Sequence, residues 1–132
     1  MNKSTLLQIK NILEAGHSLT FTSQSSGQGG EMVIIQLNDK PIGEVYTWDS
    51  DERRHRNIVH GNDVEAKLAG EIKEWMYEAF FPYVVAQDII CDSYRCEFEI
   101  HEGVLTLGIS GEWSFDGAHG SEGGMMVLEG KD

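Results

Sequence analysis

The sequence has few cysteines, few prolines and few basic residues, and it lacks any long apolar run. Its 132 residues include two cysteines, two prolines and ten Lys or Arg, against 22 Asp or Glu, and the formal net charge is −12. No apolar stretch approaches the roughly 20 residues that a transmembrane helix needs. Gln8, Lys10 and Asn11 interrupt the apolar residues near the start, so we expect no secretory leader and a cytoplasmic location.

The shortage of cysteine and of basic residues argues against several classes of protein. Cys91 and Cys96 are expected to be reduced thiols in an intracellular chain, and neither belongs to a CxxC pair. The acidic surplus lies mainly in residues 91–132, which hold nine acidic and two basic residues. Such a surface repels nucleic acids and anionic membranes and attracts basic proteins. We therefore expect a protein partner, with no direct binding of nucleic acid or membrane.

The residues that are present predict an ordinary globular domain with two helices. Apolar residues make up 40% of the chain and charged residues 24%, and the length fits a single domain over residues 1–132. The first helix is predicted to start at a capping box of Thr5 and Gln8 and to stop at Gly16. A second, longer helix is predicted from Asn62, with Glu65 completing a capping box.

The longer helix has a clear apolar face and a predicted end at or near Pro82, because proline breaks helices. The residues of that face recur at helical spacing: Val64, Leu68, Ile72, Trp75, Met76, Ala79 and Phe80. Its opposite side carries an acidic stripe, which Lys67 and Lys73 offset in part: Glu71, Glu74 and Glu78.

Alternating patterns predict a first strand that starts at Leu19. Four further strands are predicted over residues 32–37, 42–48, 96–100 and 105–109. Turns are expected at Asn38, Asp39 and Pro41 and at the "HEG" that ends at Gly103. The order α-β-β-β-α-β-β predicts an α+β fold, an antiparallel sheet packed by two helices. Residues 114–132 contain five glycines and form either a flexible tail or a loop that leads to one last strand at residues 125–128.

Two glycine clusters, "GQGG" at residues 27–30 and "GSEGG" at residues 120–124, each precede an apolar run. A phosphate cradle needs backbone N–H groups at the start of a helix, and neither cluster precedes a helical pattern. We therefore interpret both clusters as turns or bulges rather than as ligand sites.

Period-two alternation places Glu97, Glu99 and His101 on one side of a strand, opposite Cys96 and Phe98. A Glu-x-Glu-x-His row can ligate a divalent metal, so a metal-binding domain or an enzyme is one interpretation. The favoured interpretation is the solvent-facing side of an acidic strand, because no second ligand pair at a diagnostic spacing accompanies the row. No catalytic residue, cofactor or metal is therefore predicted.

The leading hypothesis is a small acidic protein that occupies a basic surface of a nuclease or of another nucleic-acid-binding complex. Immunity proteins and phage anti-defence inhibitors of the anti-CRISPR kind work in this way, since carboxylates can take the place of phosphates in a basic groove. The predicted partner-binding residues lie in the last third of the chain: Glu97, Glu99, Glu102, Glu112, Trp113 and Asp116. The stripe of Glu71, Glu74 and Glu78 is the rival patch.

A third hypothesis concerns the basic island in "ERRHR". Arg53, Arg54 and Arg56 concentrate positive charge in an otherwise acidic chain. Guanidinium groups bind small anions well, so the chain could instead sequester a small anionic molecule.

Overall fold

A computed structural model gives the fold of residues 1–25, 31–46, 62–86, 93–115 and 118–128. The helices are α1 (Lys3–Glu14), α2 (Asp63–Trp75), a π-helix (Met76–Phe80) and α3 (Phe81–Ala86). The strands are β1 (Leu19–Ser25), β2 (Glu31–Leu37), β3 (Lys40–Tyr46), β4 (Ser93–His101), β5 (Val104–Phe115) and β6 (Ala118–Val127). They form one antiparallel sheet in the order β3-β2-β1-β4-β5-β6. The predicted α+β class is confirmed, and α3 and β6 extend the predicted element order.

Two tight turns fix the pairing within the sheet. Asn38 and Asp39 have φ of 52° and 66°, and Glu102 and Gly103 have φ of 50° and 80°. Positive φ at both central residues is the conformation of type I′ turns, whose twist matches that of a β-hairpin. Both predicted turns are confirmed, except that Pro41 lies in β3, and they set the register of β2 with β3 and of β4 with β5.

The two long helices are capped by asparagine side chains. Asn62 and Glu65 form the predicted capping box, with bonds of 2.9 and 3.0 Å to each other's backbone N–H. The capping box predicted at Thr5 is wrong, because α1 starts earlier. Asn2 caps that helix by accepting from the Thr5 N–H at 2.8 Å, and Thr5 is buried inside the first turn. Gly16 has the predicted left-handed conformation, with φ of 91°.

The long helix was predicted to end at or near Pro82, and in the structure it runs four residues further, to Ala86. The Phe81 N–H donates to the carbonyl of Met76, five residues back, so the helix widens by one residue before α3 begins. Pro82, which has no N–H to donate, directly follows this widened turn as the second residue of α3. The chain therefore continues as helix to Ala86.

The core lies between the helices and one face of the sheet. Phe21 of β1 meets Phe80 edge-on at 4.9 Å between ring centroids, and Phe98 of β4 lies 6.1 Å from Trp75. The predicted apolar face of α2 is confirmed except at Val64, which is 65% exposed. Ala69 is buried in addition, because α2 approaches β3 closely: a Cβ built on Gly43 would lie 2.8 Å from the Ala69 Cβ.

Of the two alternatives for residues 114–132, the structure shows the last strand, and this strand starts earlier than the predicted residues 125–128. β6 begins at Ala118 and pairs with β5 along its whole length. Gly120, Gly123 and Gly124 therefore lie inside a strand, and the prediction that they form a turn is wrong for this cluster. Pairing with β5 satisfies the backbone groups on one side of β6 without help from side chains. The cluster at residues 27–30 lies outside the described residues.

In the described part of the chain, no helix has both the length and the apolar character needed to cross a membrane.

Candidate functional site

Strand β4 presents acidic residues on the side of the sheet that faces away from the core. Cys96 and Phe98 are buried, whereas Glu97 and His101 are exposed and Glu99 is partly exposed. This alternation is the one predicted from the sequence. We call the side of the sheet that carries Glu97 and Glu99 the outer face.

Strand pairing places two exposed apolar residues across from these acids. Glu97 pairs with Gly108 of β5, and Gly108 pairs with Met125 of β6. In the next row, Glu99 pairs with Thr106, which pairs with Val127. Neighbouring strands lie about 4.8 Å apart, so the acids of β4 and the apolar residues of β6 are separated by roughly 10 Å.

The space between these two strands is a shallow groove along β5. It has a volume of about 220 Å³, and its lining includes Arg95, Glu97, Glu99, Gly108 and Ser110. The carboxylate of Glu99 leans over Gly108, since its atoms lie 3.6–3.7 Å from where a Cβ on that glycine would be. Gly124 is the residue of β6 in the lining, and the exposed Met125 and Val127 lie further along that strand, outside the groove. The lining of the groove therefore combines two acidic residues with one basic residue, Arg95.

His101 fixes the position of one of the acids. Its Nε2 lies 2.7 Å from Oε2 of Glu99, within hydrogen-bond distance. The described residues include no group of three or more His, Cys, Asp or Glu that could hold a metal ion. The Glu99–His101 contact is thus a pair, and it orients the Glu99 carboxylate toward β5.

Two threonines on the outer face are buried. Thr106 donates to the Glu99 carbonyl at 3.4 Å. Thr20 of β1 pairs with Glu97 and is 1% exposed, and its hydroxyl has no hydrogen-bond partner among the described residues. One row of paired residues therefore crosses four strands: Thr20, Glu97, Gly108 and Met125. Thr20 contributes a buried hydroxyl, Glu97 an exposed carboxylate and Met125 an exposed apolar side chain.

The other predicted binding residues are spread along the hairpin. Glu102 is exposed in the β4–β5 turn, whereas Glu112 pairs with Ser93 and Ser121 near the far end of β5. At about 3.4 Å per residue, the length of β5 separates these two positions by more than 25 Å. Trp113 follows Glu112 and pairs with Gly120, and Asp116 lies outside the described residues. The structure brings Glu97 and Glu99 together and places Glu102 and Glu112 at opposite ends.

The rival acidic patch lies on the helices. Glu74 and Glu78 are exposed, on α2 and the π-helix respectively. Glu71 is partly buried and lines a groove of about 530 Å³ between α1 and α2, together with Lys67. Asp63 lines the same groove, so Lys67 offsets only part of its negative charge, as Arg95 does in the groove along β5.

The thiol of Cys96 lies on the core side of β4, behind the candidate site. It is free and buried, and burial raises the pKa of the thiol well above its ordinary value. A protonated, inaccessible thiol is a poor nucleophile and a poor metal ligand. Cys91 and the basic island of Arg53, Arg54 and Arg56 lie outside the described residues.

Met125 and Val127 were not among the residues predicted from the sequence to form a site. Their alternation on β6 is visible in "MMVL", but the sequence carries no signal that pairs β6 with the acidic hairpin.

Comparison with protein-family models, with curated proteins and with solved structures finds no significant match for this chain. The function is therefore argued from the site alone.

Proposed function

We propose that this protein binds a basic surface of a partner protein and thereby blocks it. The partner would be a nuclease or another nucleic-acid-binding complex, and the chain would act like an immunity protein or an anti-CRISPR-like inhibitor in the cytoplasm. The observation that carries the proposal is the position of Glu97 and Glu99 on the outer face of a central strand. β4 is paired on both sides, with β1 and with β5, so its carboxylates stand on a rigid support.

Charge supports this proposal over the binding of an anion or of nucleic acid. The chain carries a net charge of −12, and its described outer-face acids are not covered by a helix. Residues two apart on a strand lie about 6.8 Å apart, so Glu97 and Glu99 present two negative charges at close, fixed spacing. Opposite potentials speed association and suppress wrong partners. In this proposal, neither a chemical step nor a cofactor is required.

The metal hypothesis draws on the same strand. Glu99 and His101 are in contact, but no described third ligand completes a site. A metal would need such a third donor, so the contact favours orientation of Glu99 over coordination. The small-anion hypothesis depends on Arg53, Arg54 and Arg56, which the structure does not describe.

The proposal is tested by capturing the partner and then reversing charge at two places. Tagged protein is incubated with nuclease-treated lysate of the source cell at low and at high salt, and the captured partner is purified. Its affinity is then measured for Glu97→Lys/Glu99→Lys and for the matched control Glu74→Lys/Glu78→Lys. Both double variants change the net charge equally, so general electrostatic attraction affects them alike.

We expect the β4 variant to bind at least about 100-fold more weakly, and the helix variant to stay within about threefold of the parent. An equal loss in both variants would show that only the overall charge matters. A greater loss in the helix variant would move the site to the rival patch. Failure to capture any protein that salt releases would count against the proposal itself.

A further inference from the structure

We propose that the outer edge of β6, the side that faces away from β5, pairs with an extended, basic segment of the partner. This inference rests on the proposed function. The segment would continue the sheet as a further strand, with backbone hydrogen bonds to β6. β6 lies two strands from β4, so the edge is roughly 10 Å from the outer-face acids, and one partner can contact both.

Alternate residues of β6 direct their backbone groups to the outer edge. In an antiparallel pair of strands, residues that exchange N–H···O bonds alternate with residues that do not. The Leu128 N–H donates to the Leu105 carbonyl at 3.0 Å, so this pair is hydrogen-bonded, and the next pair, Thr106 with Val127, is not. The same alternation along the register gives the residues whose N–H and C=O groups face away from β5: His119, Ser121, Gly123, Met125 and Val127.

A contact from outside the sheet supports this direction. The hydroxyl of Tyr83, on α3, donates to the Met125 carbonyl at 3.3 Å, so that carbonyl does face the outer edge. In the sheet formed by the described residues, β6 is the last strand, and its outward groups meet no further strand. Such a row of N–H and C=O groups is a template for pairing with another chain. The stretch from His119 to Gly123 lies beyond the Tyr83 contact and offers the longest part of this template.

The sequence of β6 suits an added strand. Its pairing with β5 runs through ten residue pairs without a register shift, and the strand includes neither proline nor lysine, two residues that protect edges. Gly120, Gly123 and Gly124 have no side chains, so they leave room for long side chains of a neighbouring strand.

Charge selects a basic segment as the occupant. From Val104 to Val127 the sequence holds three acidic residues and no Lys or Arg: Glu112, Asp116 and Glu122. Glu97 and Glu99 add two negative charges on β4. A segment that carries Lys or Arg is attracted to this part of the molecule, and an acidic segment is repelled.

The first test is hydrogen exchange, read for each backbone N–H by NMR, with the full chain alone and in complex with the partner captured as described above. In the free protein, the amides of Ser121 and Gly123 should exchange quickly, and those of Glu122 and Gly124, which face β5, slowly. In the complex, we expect exchange at Ser121 and Gly123 to slow by about tenfold or more. Unchanged exchange at these two amides would overturn the edge as a binding site.

The second test removes one outward N–H. Ser121→Pro takes away a donor that β5 does not use, and proline is tolerated on an edge strand at such a position. Ser121→Ala is the matched control, because it keeps the N–H. We expect Ser121→Pro to weaken partner binding by about tenfold or more, and Ser121→Ala to stay within about twofold of the parent.

Thermal unfolding checks that both variants fold, and if Ser121→Pro does not, the exchange measurement decides alone. Full affinity in Ser121→Pro, together with loss in Glu97→Lys/Glu99→Lys, would overturn the edge and leave the proposed function standing. Loss in neither variant, or failure to capture a partner, would overturn both. A dimer of the free protein that Ser121→Pro dissociates, seen by analytical ultracentrifugation, would replace the partner's segment by a second copy of this chain.

Discussion

The two faces of the sheet are built from alternate residues of the same strands, yet they have opposite character. On β4, Phe98 packs under the helices, while its neighbours Glu97 and Glu99 face away from them. Apolar burial is the main stabilising term in folding, so the covered face holds most of the stability. The outer face can then carry like charges at close spacing, an arrangement that contributes little to folding or opposes it. Under the proposed function, the outer face serves recognition and the covered face serves stability.

The largest loss of stability should come from removing a large side chain at the centre of the face that the helices cover. Phe98→Ala removes a ring that packs against Phe21 and Trp75, and large-to-small changes of this kind cost about 3–5 kcal/mol. Urea denaturation should show this loss. Glu97→Ala, one residue away on the other face, is the control and should change the free energy of unfolding by less than about 0.5 kcal/mol. Similar losses of stability in the two variants would show that the two faces contribute alike to the stability of the fold.

An intermediate effect is expected where α2 touches the sheet. Gly43→Ala places a Cβ 2.8 Å from that of Ala69, which forces helix and strand apart and should cost about 1–3 kcal/mol. Ala69→Gly alone should cost about 1 kcal/mol through helix propensity. The double variant should be more stable than the sum of the two losses predicts. Strict additivity in this double-mutant cycle would mean that the two residues do not meet.

The smallest effect on stability is expected from neutralising the outer face. Glu97→Gln/Glu99→Gln should alter the free energy of unfolding by less than about 0.5 kcal/mol, because exposed charges contribute little. Any change at low salt should be toward higher stability, since the substitutions relieve repulsion between the two carboxylates. The same variant should lose most of its affinity for the partner. A loss of stability above about 1 kcal/mol would show that these acids serve the fold.

Local signals in the sequence were enough to predict the start of α2, two hairpin turns and the two faces of β4. The Asn62–Glu65 capping box marks the start of α2, and the turns at Asn38–Asp39 and Glu102–Gly103 set two hairpins. Strict alternation around Phe98 separates the two faces of β4. Each of these features involves residues close together in the chain, where the physical rule needs no knowledge of the rest of the fold.

The features that were not predicted depend on contacts between distant parts of the chain, or on positions where two residues suit the same role. A strand is predicted from side chains that alternate between apolar and polar. Gly120, Gly123 and Gly124 have no side chains, so this alternation is missing from β6 and its pairing with β5 could not be predicted. The groove beside Glu99 went unrecognised for this reason. The widened turn at Met76–Phe80 adds a residue without leaving a pattern in the sequence, and it carries the helix past Pro82. At the first helix, Asn2 and Thr5 are both acceptable caps, and packing decides between them.

The two edges of the sheet have a further consequence, for how copies of the protein behave together. At one edge, β3 carries Lys40 and Pro41, next to a bulge at Ile35/Gln36, and such features discourage strand-to-strand association. At the other edge, the ten residues of β6 include neither proline nor lysine. At high protein concentration, two such edges would come close enough to pair. Repulsion between molecules that each carry a charge of −12 would oppose this pairing. The surplus of carboxylates that would attract a basic partner would thus also oppose association between copies of the protein.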